Sequence, residues 1–229
     1  MNSNIAIDGP AGAGKSTIAK LVSAKLGSVY VDTGAMYRAI GLYMTEHSVD
    51  KNDINAVKDA LVKIDLDIRY ENGTQQIILN GENVSGKIRT PEISAAASAF
   101  AAIPEVRSTL TEIQRNLAKK TAVVMDGRDI GTVVLPDAAV KIFLTASVQV
   151  RAERRYKELT EKGESVNIKD IEADISKRDH QDMTRETAPL KQASDAVLVD
   201  SSFLTVDEVA EKIISIAREK VPDIGEQNS

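Results

Sequence analysis

The chain contains no cysteine. That absence removes disulfides, thiolate zinc sites and a cysteine nucleophile together, and it suits a reducing cytosol. Histidine is nearly missing too: His47 and His180 are the only two, they form no metal-ligand spacing, and both are expected at the surface. No long apolar run occurs. The longest small-apolar stretch, ISAAASAFAAI from Ile93 to Ile103, is too short to span a bilayer and contains serines. The opening MNSNIAIDGP lacks a basic segment followed by a long apolar run, so no signal peptide is expected. Positive charge is in deficit, with 29 basic against 34 acidic side chains and a net charge of −5. Such a chain is a poor candidate for sequence-independent nucleic-acid binding, which rests on cationic neutralisation of phosphates. Any basic site must therefore be local. The remainder, 42% hydrophobic and 28% charged over 229 residues, is an ordinary globular composition in keeping with one elaborated domain.

What is present begins at Gly9, where GPAGAGKS has the spacing G-x-x-x-x-G-K-S. Its glycines let backbone N–H groups turn inward as an anion nest at the positive end of the next helix. Lys15 is placed to reach β- and γ-phosphates, and the Ser16 hydroxyl to ligate Mg²⁺. The context agrees: a short strand, Asn4 to Asp8, precedes the loop, and Ile18, Leu21, Val22 and Leu26 recur at helical spacing before Gly27. A phosphate loop alone does not distinguish a switch, a motor and a small-molecule kinase. The N-K-x-D and D-x-x-G strings expected of a guanine-nucleotide switch are absent.

Further compact apolar runs lie at 28–32, 122–126, 140–144 and 196–200, with helical segments between most of them. Runs without alternation suggest strands buried on both faces, hence a parallel sheet covered by helices. One region differs. Ile64, Leu66, Ile68 and Tyr70 alternate with polar residues, as do Ile77 and Leu79, and Asn72-Gly73 and Asn80-Gly81 mark turns. These predict an antiparallel meander over about 64–90. An amphipathic helix follows Pro104, and two polar helices span about 147–162 and 170–185.

Three further groups are candidates for chemistry. Thr33, Tyr37 and Arg38, in DTGAMYR, sit near the carboxyl end of the sheet, where open α/β folds bind ligands; alternatively Thr33 caps the helix and Tyr37 packs. Arg128 and Asp129 follow a buried strand, for a phosphate and for a base or sugar, or else form a plain salt bridge. Arg178, Asp182 and Arg185 share a helical face at i, i+4 and i+7. Surface ion pairing explains that spacing cheaply, at roughly 0.3–0.5 kcal/mol per pair. A kinase joining a nucleoside triphosphate to a phosphorylated acceptor, however, must offset a repulsion of about 4 kcal/mol per pair of like charges 4 Å apart. That favours arginines at Arg38, Arg128, Arg178 and Arg185.

Taken together, GPAGAGKS, DTGAMYR, SGKIRTPEISAAAS (85–98), DGRDIGTVVLPDAAVKIFL (126–144), RAERR (151–155) and KRDHQDMTRETAPL (177–190) resemble the bacterial cytidylate kinase family through most of the chain. The resemblance implies a three-layer α/β fold of the P-loop nucleoside monophosphate kinase type. It has a five-stranded parallel core (about 1–63, 91–150 and 171–229), an antiparallel β insert in the acceptor-binding domain (about 64–90) and a helical lid (about 151–170). It implies transfer of the ATP γ-phosphoryl group to CMP or dCMP, with ATP held by Gly9, Pro10, Ala11, Gly12, Ala13, Gly14, Lys15, Ser16 and Thr17 and Mg²⁺ on Ser16. Thr33, Tyr37, Arg38, Arg128 and Arg185 are expected around the acceptor phosphate, Ser98, Arg107 and Asp129 on cytosine, and Arg178 and Asp182 on the sugar. Lys15, Arg128, Arg185 and Arg155 are the expected catalytic set; Arg151, Arg154 and Arg155 are all candidates to close over ATP, and the resemblance does not say which of the three contacts the transferring group. A cytoplasmic monomer without nucleic-acid or membrane partners is expected. A kinase for UMP, AMP or a non-nucleotide metabolite, and a non-catalytic ATP-binding module, are the alternatives.

Overall fold

All four residues of β1 (Ile5–Asp8) are buried, as an apolar run at the centre of a sheet requires. The structure, a computed structural model, describes residues 3–71 and 73–225. β1 runs through the phosphate loop into α1 (Lys15–Leu26), which stops at Gly27 in a left-handed conformation. The chain returns along β2 (Val29–Asp32) into α2 (Thr33–Glu46) and α3 (Ile54–Val62). A meander follows, β3 (Leu66–Glu71), β4 (Thr74–Leu79) and β5 (Glu82–Asn83), then α4 (Pro91–Phe100) and α5 (Pro104–Lys120). The last part holds β6 (Val123–Gly127), β7 (Val140–Thr145), α6 (Val148–Glu161), α7 (Ile168–Thr184), β8 (Val197–Asp200) and α8 (Val206–Lys220).

The chain divides into two compact units, one of residues 1–30 and 118–229, the other of residues 31–117. In the first, the strands follow the order β2-β6-β1-β7-β8, with β2 crossing the boundary in sequence. β1 pairs in parallel with β6 (Ile5↔Val124, Asp8↔Gly127) and β7 (Ile5↔Val140, Asp8↔Phe143). β1 is thus the central strand, and the loop after it opens between its neighbours, where ligands bind such sheets. Ile18, Ala19 and Val22 of α1 and Val209, Ile213 and Ile214 of α8 pack with Ile5, Ile7, Ile142 and Leu144 in one core. Each fully buried Val, Leu or Ile side chain among them contributes about 1.5–3 kcal/mol relative to exposure.

The run at 196–200 departs from the expectation of a strand buried on both faces. β8 pairs only with β7 and forms the sheet edge; Val199 is buried, but Leu198 is 53% exposed. A strand's apolar composition does not reveal whether it stands at the centre or the edge.

In the second unit the meander is present as a three-stranded antiparallel sheet, β3-β4-β5, in the register Leu66↔Leu79 to Glu71↔Thr74. Asn80 and Gly81 both have positive φ, 49° and 84°, which two-residue hairpin turns of the primed type require. Asn72, in the other expected turn, lies outside the described residues. Gly41 lets α2 approach α4 closely: a Cβ there would sit 2.8 Å from the Ala97 nitrogen. Both histidines are exposed, as expected, and His47 stacks on Tyr43 at 3.9 Å.

Candidate active site

Three glycines shape the loop after β1: Gly9, Gly12 and Gly14 have φ of 151°, 76° and 88°. Gly14 is the N-cap of α1, so Lys15 and Ser16 occupy its first turn, where free N–H groups and the helix dipole favour anions. Lys15 is buried, and its Nζ donates to the Pro10 carbonyl at 2.7 Å. Burial, with the nearby Arg128 guanidinium, pushes the ammonium down from 10.5 to about 7, against the pull of Asp126, Asp8 and Asp182. Ser16 Oγ donates to Asp126 Oδ2 at 2.9 Å, and the Tyr30 hydroxyl donates to Oδ1 of the same carboxylate at 2.9 Å. Ser16 and Asp126 are therefore paired oxygen donors of the kind a hard cation takes. Among the described residues, no group of three or more His, Cys, Asp or Glu could hold a metal.

The ends of β1 and β6 carry a charged cluster. Asp8, at the end of β1, accepts from the N–H groups of Ile130 (2.8 Å) and Gly131 (2.7 Å). Burial raises its carboxyl to about 6; those two hydrogen bonds oppose the rise, Asp129 adds to it and Lys15 opposes it. The bonds anchor one π-helical turn, 130–134, in which the Val134 N–H reaches back to the Asp129 carbonyl at 3.1 Å. Arg128 Nε donates to Asp182 Oδ2 at 2.7 Å. Arg185 stands 3.8 Å from both Asp129 Oδ1 and Asp182 Oδ1, and its Nε donates to the Ala188 carbonyl at 2.8 Å. Two arginines and two carboxylates thus converge in the first unit from β6 and α7. Arg178 is exposed on α7, and the carboxylate of Asp182 accepts from Arg128, 54 residues away in sequence.

The second unit holds the other candidates. Asp32 caps α2 through the Ala35 N–H at 2.8 Å and accepts from Arg38 Nη2 at 3.1 Å. The cap is therefore Asp32, while Thr33 is buried as the first helical residue. Arg38 Nε is buried and has no hydrogen-bond partner. Arg107 is buried, donates to the Ala101 carbonyl at 3.1 Å, and lies over the Tyr37 ring at 5.5 Å. Ser98 is exposed on α4.

The three arginines of RAERR, all on α6, have different surroundings. Arg151 is buried in a network with Asp179, Ala11 and Ala146. Arg154 donates to the Ser201 carbonyl at 2.6 Å and hydroxyl at 3.2 Å. Arg155 is half exposed, with a solvent-facing partner at Glu158, 2.7 Å away. Only such a side chain can be released without dismantling a buried network.

A family model described as Cytidylate kinase matches residues 5–219. The chain belongs to the cytidylate kinase family. It is 51% identical over 213 residues to the cytidylate kinase of Caldicellulosiruptor saccharolyticus, covering 93% of this chain and 94% of that one. The cytidylate kinase of Lactobacillus gasseri is 50% identical over 216 residues (94% of each). That of Thermosipho melanesiensis is 50% identical over 220 residues (96% and 99%). An uncharacterized protein from Eubacterium ventriosum, known as a crystal structure, superposes with a TM-score of 0.52 at 14% identity, covering 96% of this chain and 99% of that one, and shows the fold alone. As a member of the cytidylate kinase family, the protein is an ATP-dependent phosphotransferase.

Within this cytidylate kinase family fold, Asp8, Asp126, Asp179 and Ser201 also build the site, and none of them is among the residues expected from sequence. Asp8 and Asp126 had a readable signal, since each is the acid ending a buried apolar run, IAID and VVMD. Asp179 sits in ordinary polar surroundings in sequence, and Ser201 follows the strand run AVLVD; only their long-range partners set them apart.

Proposed function

We propose that the enzyme transfers the γ-phosphoryl group of ATP to CMP and dCMP. In this reading Gly9 to Thr17 hold the triphosphate, and Thr33, Tyr37, Arg38, Arg128 and Arg185 hold the acceptor phosphate. Ser98, Arg107 and Asp129 read cytosine, and Arg178 and Asp182 hold the sugar. The observation that carries the reading is the convergence of Lys15, Arg128 and Arg185 with Asp126, Asp129 and Asp182 in an otherwise acidic chain. The unpartnered Nε of Arg38 supports it further, as a buried donor that an incoming phosphate oxygen would satisfy.

The Ser16 hydroxyl and the Asp126 carboxylate would hold Mg²⁺, which would supply positive charge to neutralise the donor phosphates. An acceptor phosphate oxygen attacks the γ-phosphorus, the bond from that phosphorus to the β–γ bridging oxygen breaks, and ADP leaves with the electron pair. The attacking oxygen is already ionised at neutral pH, so no general base is needed. The protein positions and stabilises charge. Lys15 leaves the Pro10 carbonyl for the phosphates, and Arg155 closes from α6 to exclude water and meet the transferring group.

Base choice follows from Asp129. Cytosine presents an amino donor where uracil presents a carbonyl acceptor, so a carboxylate accepts from the first and repels the second. Assayed with ATP and Mg²⁺, CMP and dCMP are expected to be good acceptors, UMP clearly weaker, and AMP and GMP excluded. Asp129→Ala should narrow the gap between CMP and UMP, mainly by losing CMP. Wild-type enzyme that phosphorylates UMP as efficiently as CMP would defeat the cytosine site while sparing the phosphate loop.

A further inference from the structure

Arg151 is 3% exposed, yet its guanidinium is almost fully used. Nε donates to the Ala146 carbonyl at 2.9 Å, and Nη1 to the Ala11 carbonyl at 2.8 Å and Asp179 Oδ1 at 3.1 Å. Nη2 donates to Asp179 Oδ2 at 2.6 Å. The fork-on-fork pairing with Asp179 fixes the plane of the guanidinium. That plane ties together the phosphate loop at Ala11, the β7–α6 junction at Ala146, and α7 at Asp179.

The contact with Ala11 is the consequential one. The peptide joining Ala11 to Gly12 is planar and trans, so an oxygen held on one side directs the Gly12 N–H to the other. An anion nest needs its N–H groups turned inward, hence its carbonyls turned outward onto partners. Ala11 receives that partner from Arg151, which Asp179 orients. A buried ion pair is no better for stability than well-packed apolar side chains, so stability alone gives little reason for this one.

We propose that Asp179 is a positioning residue for the donor phosphates, acting through Arg151 on the Ala11–Gly12 peptide. This rests on reading Gly9–Thr17 as the triphosphate site.

The test is Asp179→Asn, which keeps the shape of the side chain but removes its charge and one acceptor oxygen. A second variant, Arg151→Lys, keeps the charge but loses the planar fork. Calorimetric titration with ATP is run beside KM values for ATP and CMP, kcat and thermal melting. ATP binding should weaken by roughly 10- to 100-fold, the scale of one lost hydrogen bond to a charged group when the Gly12 N–H turns away. The KM for CMP should stay within about twofold. ATP affinity unchanged in a folded variant, or CMP affected as strongly as ATP, would overturn the proposal. Failure of both variants to fold would overturn it as well, assigning the pair to the core. Lys15→Ala separates the two readings: if it binds ATP like wild type, the donor-site assignment itself fails.

Discussion

Gly9→Ala measures how far the phosphate loop depends on one missing methyl group. A Cβ built on Gly9 would lie 1.9 Å from the Leu144 carbonyl oxygen, where ordinary contact begins at 3.4 Å, so ~1.5 Å must be opened. Leu144 cannot yield easily, since it is fully buried in β7 and aligned with Val199 of β8. The loop must move instead. Relieving the overlap costs about 1–3 kcal/mol, and a non-glycine residue at the observed φ of +151° adds roughly 1–2 kcal/mol. For a chain of this size each kcal/mol lowers the melting temperature by about 2–4 °C, so a fall of roughly 4–20 °C is expected. Displacing the nest by about 1 Å should also cost on the order of 10²-fold in kcat/KM for ATP. Thermal melting of the ligand-free protein and steady-state kinetics at saturating CMP give both numbers. A Gly9→Ala enzyme that melts within about 2 °C of wild type and keeps its KM for ATP would refute the steric argument.

Gly41→Ala tests a second close approach, between α2 and α4. The helix-propensity gain of about 1 kcal/mol should be outweighed by a Cβ 2.8 Å from the Ala97 nitrogen, so the variant should melt lower, and a higher melting temperature would sink the idea. Asp8 supplies a pH dependence. It ionises at its ordinary 3.8 when unfolded and near 6 when folded, so between those values the folded state holds the extra proton and stability falls as pH rises. Across pH 4 to 7 the stability of wild type relative to Asp8→Asn should therefore decline by about 3 kcal/mol in urea melts. A relative stability that rises with pH would contradict the burial of that carboxyl.

Much of the molecule is legible in the chain because the relevant physics is local. The phosphate loop occupies eight consecutive residues whose glycines permit the positive φ values it needs, and its flanking strand and helix follow from apolar spacing. The Asn80-Gly81 turn is equally local, its two positive φ values belonging to the residue types that tolerate them. The face carrying Arg178 and Asp182 follows from helical periodicity alone, whereas Arg185 is the extended C-cap one residue past the end of α7. Their partners do not. Sheet order decides that Asp8 receives the Ile130 and Gly131 N–H groups 122 and 123 residues away, and that Arg128 grips Asp182. It also leaves β8 at the edge, with Leu198 exposed despite an apolar run like that of β1. Arg151, Arg154 and Arg155 lie within five residues on one helix, and nothing in their spacing separates them. Tertiary packing buries the first against Ala11 and Asp179, ties the second to Ser201, and leaves the third half exposed beside Glu158. Periodicity fixes the direction of a side chain relative to its own element, but its partner depends on which elements the fold brings alongside.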